Sequence, residues 1–180
     1  MINRINQYLS NEYKLDTLEN ISGDDDDNRI TSKQLKAYNF DKIVGSKYKS
    51  CDALYIDKEG QCVTFIEFKN RTCICENKNE RKCLRCDIRL KALESLLAFW
   101  ELLLNANVIS DLCEFSMIKK NLIVVYSYNK SKSSSHYNNI IKGRLEGNSY
   151  FIFDVDRYKK IVYNNVISLP DNEFEKLDLK

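Results

Sequence analysis

Asp52, Glu67 and Lys69 are the residues of this chain whose types and spacing best suit chemistry. Residues 51–57 (CDALYID) and 62–69 (CVTFIEFK) alternate as strands do, and Lys58-Glu59-Gly60-Gln61 between them reads as a turn in which Gly60 supplies the difficult dihedral. Pairing Asp57 with Cys62 across that loop predicts a β-hairpin with Asp52 opposite Glu67 and the two carboxylates about 5 Å apart. Like charges at that distance repel, so the arrangement calls for a cation between them. Lys69 lies two residues beyond Glu67, and the period of two puts its ammonium on the same face. A one-residue slip would separate Asp52 from the other two, so the prediction rests on the turn.

This constellation resembles the PD-(D/E)xK nuclease superfamily, whose members carry an Asp at one strand end and an E-x-K on the next strand, bind a divalent metal and activate water. The matching residues are Asp52, Glu67 and Lys69, while Ser50-Cys51 stands where the family pattern has its proline. The similarity covers residues 30–130. It implies a restriction-endonuclease-like fold, with Mg²⁺ (or Mn²⁺) held by Asp52, Glu67 and the backbone carbonyl of Phe68. Two carboxylates and a substrate phosphate oxygen suffice for Mg²⁺, which keeps several waters. Lys69 would then orient the attacking water or stabilise the charge of the phosphorane. Many members also supply an inward glutamate from an early helix, which makes Glu12 a candidate ligand. The competing reading is a plain surface salt bridge between Glu67 and Lys69. Against it, Ile66 and Phe68 flank Glu67 within an apolar run that reads as covered on both faces.

A second constellation is Cys73-Ile-Cys75 followed by Cys83-Leu-Arg-Cys86. Four soft ligands so close together fit a tetrahedral Zn²⁺ site, a zinc knuckle over 73–86, although C-x-C is tighter than the usual C-x2-C. Reduced thiols are one alternative, and an iron–sulfur cluster, which a few nucleases of that superfamily carry, is another. Cys51, Cys62 and Cys113 sit in apolar contexts and read as packing residues. With seven cysteines and no apolar signal-peptide core in MINRINQYLSNEYK, a disulfide framework is not expected, and the chain reads as cytoplasmic.

The formal charge of +2 does not by itself announce a nucleic-acid partner. Its distribution says more. Residues 68–91 hold eight Lys or Arg against Glu76, Glu80 and Asp87, and residues 115–145 hold six and no acid. Both stretches follow the hairpin. Lys82, Arg85 and Arg89, interleaved with the cysteines, are candidates for holding a polyanion, as a substrate clamp beside the active face. Lysines that merely solubilise an Asn/Lys-rich chain are the other reading.

These residues need a scaffold, and 180 residues with 43% hydrophobic content suffice for one domain, residues 1–180. The first 20 residues read as helical through Ile2, Ile5, Tyr8, Leu9 and Tyr13, with Glu12 at the edge of the stripe. SGDDDDN at 22–28 is an exposed acidic loop without EF-hand spacing. Residues 31–38 read as short helix or irregular, and 40–44 as a first strand. Residues 87–104 are the clearest helix, with Leu90, Leu93, Leu97, Trp100 and Leu104 in helical phase as its core face. Residues 121–128 and 149–155 read as strands, 129–139 as a polar loop, 161–169 as strand or short helix, and the charged end as frayed. The fold expected is α/β, with a central mixed β-sheet flanked by helices and a cysteine-rich loop insertion. The function expected is metal-dependent phosphodiester hydrolysis, on DNA in preference to RNA. The alternatives are a non-catalytic, zinc-stapled nucleic-acid- or protein-binding module, as in a defence or immunity factor, and a redox or metal sensor built on the four cysteines.

Overall fold

The computed structural model describes residues 1–23, 29–69, 78–127 and 153–179. Its framework is an α/β fold with a six-stranded mixed sheet flanked by helices. The strands are β1 (Leu15–Thr17), β2 (Lys36–Asn39), β3 (Ala53–Asp57), β4 (Cys62–Lys69), β5 (Lys119–Tyr126) and β6 (Asn165–Pro170), and they lie in the sheet in chain order. β1 to β4 run antiparallel in sequence, whereas β4, β5 and β6 are parallel. A parallel neighbour needs a long crossover, which the helix α4 (Lys78–Asn105) and the shorter α5 (Leu112–Met117) provide between β4 and β5. β4 is therefore an inner strand with both faces covered, and seven of its eight residues are buried.

Alternation along β4 divides the core in two. Val63 and Phe65 face α4 and the amino-terminal helix α1 (Ile2–Glu12), together with Ile5, Leu9, Phe40, Ile88, Ala92, Phe99 and Leu103. Ile66 and Phe68 face the opposite layer, with Leu18, Ile123, Val125 and Phe174. Glu67 and Lys69 continue the row of Val63 and Phe65, so the period of two aims both at α4.

The hairpin has the predicted register, with Asp57 paired to Cys62 and Ala53 to Ile66. Its turn works differently from the prediction. The positive φ belongs to Gln61, at 52°, and not to Gly60. Gly60 instead admits the Asp57 side chain, which accepts a 2.7 Å hydrogen bond from the Gly60 N–H in space that a Cβ would occupy.

Several other expectations are corrected. Residues 40–44 form the helix α3 (Phe40–Val44), because Asn39 ends β2 and caps the helix, its Oδ1 accepting from Lys42 N at 3.0 Å. The helical start stops at Glu12 and gives way to β1 and the short α2 (Leu18–Ile21), capped by Thr17. Residues 153–155 are turn and coil, while residues 149–152 lie outside the described part. The carboxyl end docks through α6 (Asp171–Phe174): Phe174 is buried, and Glu175 accepts from Thr31 Oγ1 and Ser32 N.

The long helix begins at Lys78, so Cys83 and Cys86 are helical and not part of a loop. Its buried side is also not the leucine row. Ile88, Ala92, Ser95, Phe99 and Leu103 face the sheet, while Leu90, Leu93 and Leu97 are 40%, 37% and 51% exposed. Small residues at 92 and 95 let the helix approach the strands closely. The large leucines face outward. Among the described residues, no helix is long and apolar enough to cross a membrane.

Candidate active site

Asp52 stands one residue before β3, where two hydrogen bonds fix the backbone and a third ties the neighbouring Ser50 side chain. Cys51 N donates to the buried Ser95 Oγ of α4 at 2.8 Å, Phe40 N donates to the Asp52 carbonyl at 2.9 Å, and Ser50 Oγ donates to Asp41 at 2.8 Å. The Asp52 carboxylate turns across the hairpin and accepts from Phe68 N at 2.6 Å. In an antiparallel ladder, the N–H and C=O of one residue face the same neighbour, so the Phe68 carbonyl faces this edge too.

Glu67 lies beneath, its side chain 1% exposed. Two ammonium groups converge on it: Lys69 Nζ stands 2.7 Å from Oε1, and Lys91 Nζ of α4 stands 3.0 Å from Oε1 and 3.2 Å from Oε2. Both ammonium groups lie within charge-assisted hydrogen-bonding distance of the buried Oε1. Lys91 also reaches Asp52 at 3.5 Å. One ammonium thus occupies the position between the two carboxylates that the register called for. Lys69 extends outward to Asp87 at 3.3 Å, and Asp87 to the exposed Lys49 at 3.2 Å.

Burial dominates the electrostatics. It pushes the Glu67 carboxyl up, from its ordinary 4.5 to about 7, and the Asp52 charge adds to the rise against the pull of Lys69 and Lys91. Burial raises Asp52 as well, against Lys91 and the Phe68 N–H. Burial would lower Lys91, but Glu67 and then Asp52 outweigh it and hold its pKa above the usual lysine range. Burial tends to raise Asp87, yet Lys69 and Lys49 bring it below the ordinary carboxylate value. Glu67 is therefore the strained member of the cluster. It would gain from a stronger cation.

Compared with known proteins, the chain matches no family model, and no curated protein or solved structure shows significant similarity to it.

The donors fit a hard divalent cation in chemical type and convergence. Asp52 and Glu67 already share one cationic group, the buried Glu67 Oε1 is approached by two cations, and the Phe68 carbonyl faces the same edge. Such an ion and the Lys91 ammonium would compete for one place.

The other candidates are distributed differently. Glu12 is exposed at the end of α1 and, among the described residues, has no ion pair or hydrogen bond to this cluster, so it does not point inward as expected. Lys82 and Arg89 stand nine and two residues before Lys91. At 100° per residue both fall on the opposite side of α4 from it, away from the carboxylates. Arg85 pairs with Asp154 at 3.5 Å. Cys83 and Cys86 are exposed, one helical turn apart, and Cys73 and Cys75 lie outside the described residues.

Lys91 and Asp87 escaped the sequence reading for one reason. The leucine row set the phase of α4, and in that phase Lys91 belongs to a flank. The row of Ile88, Ala92, Ser95 and Phe99 carries the correct phase, and it places Lys91 and Asp87 beside the strands.

Proposed function

We propose that this protein is a metal-dependent nuclease of PD-(D/E)xK type that hydrolyses phosphodiester bonds, on DNA in preference to RNA. The observation that carries the reading is the convergence of Asp52 and Glu67 on one cationic position, with Lys69 2.7 Å from Glu67 on the same side. Asp52, Glu67 and the Phe68 carbonyl would hold Mg²⁺ or Mn²⁺. Bound there, the metal would lower the pKa of a water and neutralise charge on the scissile phosphate. The Phe68 N–H fixes one oxygen of Asp52 and leaves the other turned to the site. Lys69 is positioned to hold an attacking water or to stabilise negative charge on the phosphoryl oxygens. Lys91, which holds that position in the metal-free protein, would have to withdraw for a metal to bind there.

The experiment is digestion of linear, circular and single-stranded DNA and of RNA, with Mg²⁺ and with EDTA. Mg²⁺-dependent cleavage by the wild type, absent from Glu67→Gln, is expected. Equal cleavage by both proteins would overturn the assignment.

One observation favours a second reading. Lys91 already supplies the cation that the carboxylates require, so the cluster is balanced without metal. A non-catalytic nucleic-acid- or protein-binding module on the same framework would use it as a buried structural network. Absence of any Mg²⁺ effect on either turnover or stability would select that reading.

A further inference from the structure

The sheet carries a second buried charge, at the opposite end from the carboxylate cluster. Lys120 of β5 pairs with Val63, four residues along β4 from Glu67, a distance of about 13 Å along the sheet. Lys120 is 6% exposed, and a lysine so buried loses hydration that only an anion can replace in full. Its Nζ donates to the carbonyls of Phe115 and Ile118, at 2.7 Å and 2.6 Å, and stands 4.5 Å from the centre of the Phe115 ring. All these partners are neutral. An ammonium has three N–H donors, so one remains after the two carbonyls are served. Among the described residues no carboxylate pairs with Lys120, and desolvation, unopposed, lowers its pKa to about 8. A buried cation here lacks its anion.

Lys120 also lines a groove of about 730 Å³ between α4, α5 and residues 160–164. Leu93, Leu97 and Trp100 of α4, Leu112 and Phe115 of α5, and Ile161 make its walls apolar. A second cation, Lys160, stands among the lining residues, and no acid does. A concave, mostly apolar site of this size with a few polar groups is the usual form of a small-molecule site. The charge complementarity names the class of ligand. We infer that the groove binds a small amphipathic monocarboxylate, its hydrocarbon part against the leucines and Trp100 and its carboxylate on Lys120. The carboxylate accepts the remaining N–H in a charge-assisted hydrogen bond and supplies the missing countercharge. A neutral head group would leave the cation uncompensated, and a cationic one would be repelled. The groove is remote from Asp52 and Glu67, and its ligand is independent of the nuclease reading.

Trp100 is the only tryptophan of the chain and lines the groove, so its fluorescence reports occupancy. The full chain is titrated with octanoate, 1-octanol and octylammonium over roughly 0.01–3 mM. Octanoate should change the emission saturably, 1-octanol should bind at least about tenfold more weakly, and octylammonium more weakly still. Lys120→Met, close to lysine in shape, should bring octanoate down to the level of 1-octanol with unchanged circular dichroism. Should that variant not fold, Ile161→Glu places an acid in the groove at a side chain 78% exposed, and should weaken octanoate more than 1-octanol. No saturable response to octanoate, or 1-octanol binding as tightly as octanoate, overturns the proposal. So does octanoate that keeps its advantage in a folded Lys120→Met, or that binds Ile161→Glu as tightly as the wild type.

Discussion

Lys91 of α4 holds Glu67 of β4 by both carboxylate oxygens, at 3.0 Å and 3.2 Å, and reaches Asp52 at 3.5 Å. A helix and a hairpin distant in sequence are thereby joined through the only charges on an otherwise apolar row of β4. In the proposed chemistry this ammonium holds the place of the metal.

Glu67→Gln should abolish Mg²⁺-dependent cleavage while sparing the fold. The buried carboxylate has its pKa raised to about 7 by desolvation and by Asp52, so its charge costs stability at and above neutral pH. The sign is that of an acid binding more protons folded than unfolded, so stability is lost as pH rises from about 4.5 through about 7. Urea melts at pH 8 should show the variant at least as stable as the wild type. A loss beyond about 2 kcal/mol would make Glu67 a structural residue.

Lys91→Met removes the internal cation and leaves two carboxylates facing each other. In EDTA the variant should lose about 2–4 kcal/mol, the cost of breaking a buried pair, moderated by protonation of Glu67. Mg²⁺ should then raise its melting temperature more than it raises that of the wild type, because no ammonium must be displaced. Equal shifts in differential scanning calorimetry would separate Lys91 from the metal's position.

Lys120 gives a pH dependence elsewhere in the fold. It is buried, donates to the carbonyls of Phe115 and Ile118 at 2.7 Å and 2.6 Å, and has its pKa lowered by desolvation to about 8. Below pH 8 both folded and unfolded chains carry the proton, and the full penalty applies. Between about 8 and 10.5 the unfolded chain binds more protons, so this residue's contribution to stability rises with pH, by roughly 3 kcal/mol. Chemical denaturation of wild type and Lys120→Met across that range should show the difference between them changing by this amount. Parallel pH profiles would refute it.

The cysteines permit a metal analysis. Cys83 and Cys86 present two exposed thiols from one helical turn, with the spacing of a C-x2-C half-site. If Cys73 and Cys75 complete it, freshly purified protein should contain about one equivalent of zinc, and Cys83→Ser should release it without unfolding the core. Metal-free protein with all four thiols reactive to a thiol reagent would leave them as ordinary cysteines.

The hairpin was legible because its pattern is local. Period-two alternation and a four-residue loop suffice to set the pairing of Asp57 with Cys62, and everything about Asp52, Glu67 and Lys69 follows from that register. The α4 helix was legible as a helix, yet its orientation was not. Two apolar rows compete on it, and hydrophobicity alone favours the leucines.

By itself the sequence determined an α/β chain, a carboxylate pair across a hairpin, and a lysine beside it, because nearest-neighbour spacing dictates those relations. Tertiary structure alone decided which face of α4 meets the sheet. Close packing against β4 selects small residues such as Ala92 and Ser95 over larger leucines, and that choice brings Lys91 to Glu67, turns Lys82 and Arg89 away, and leaves Leu90, Leu93 and Leu97 exposed.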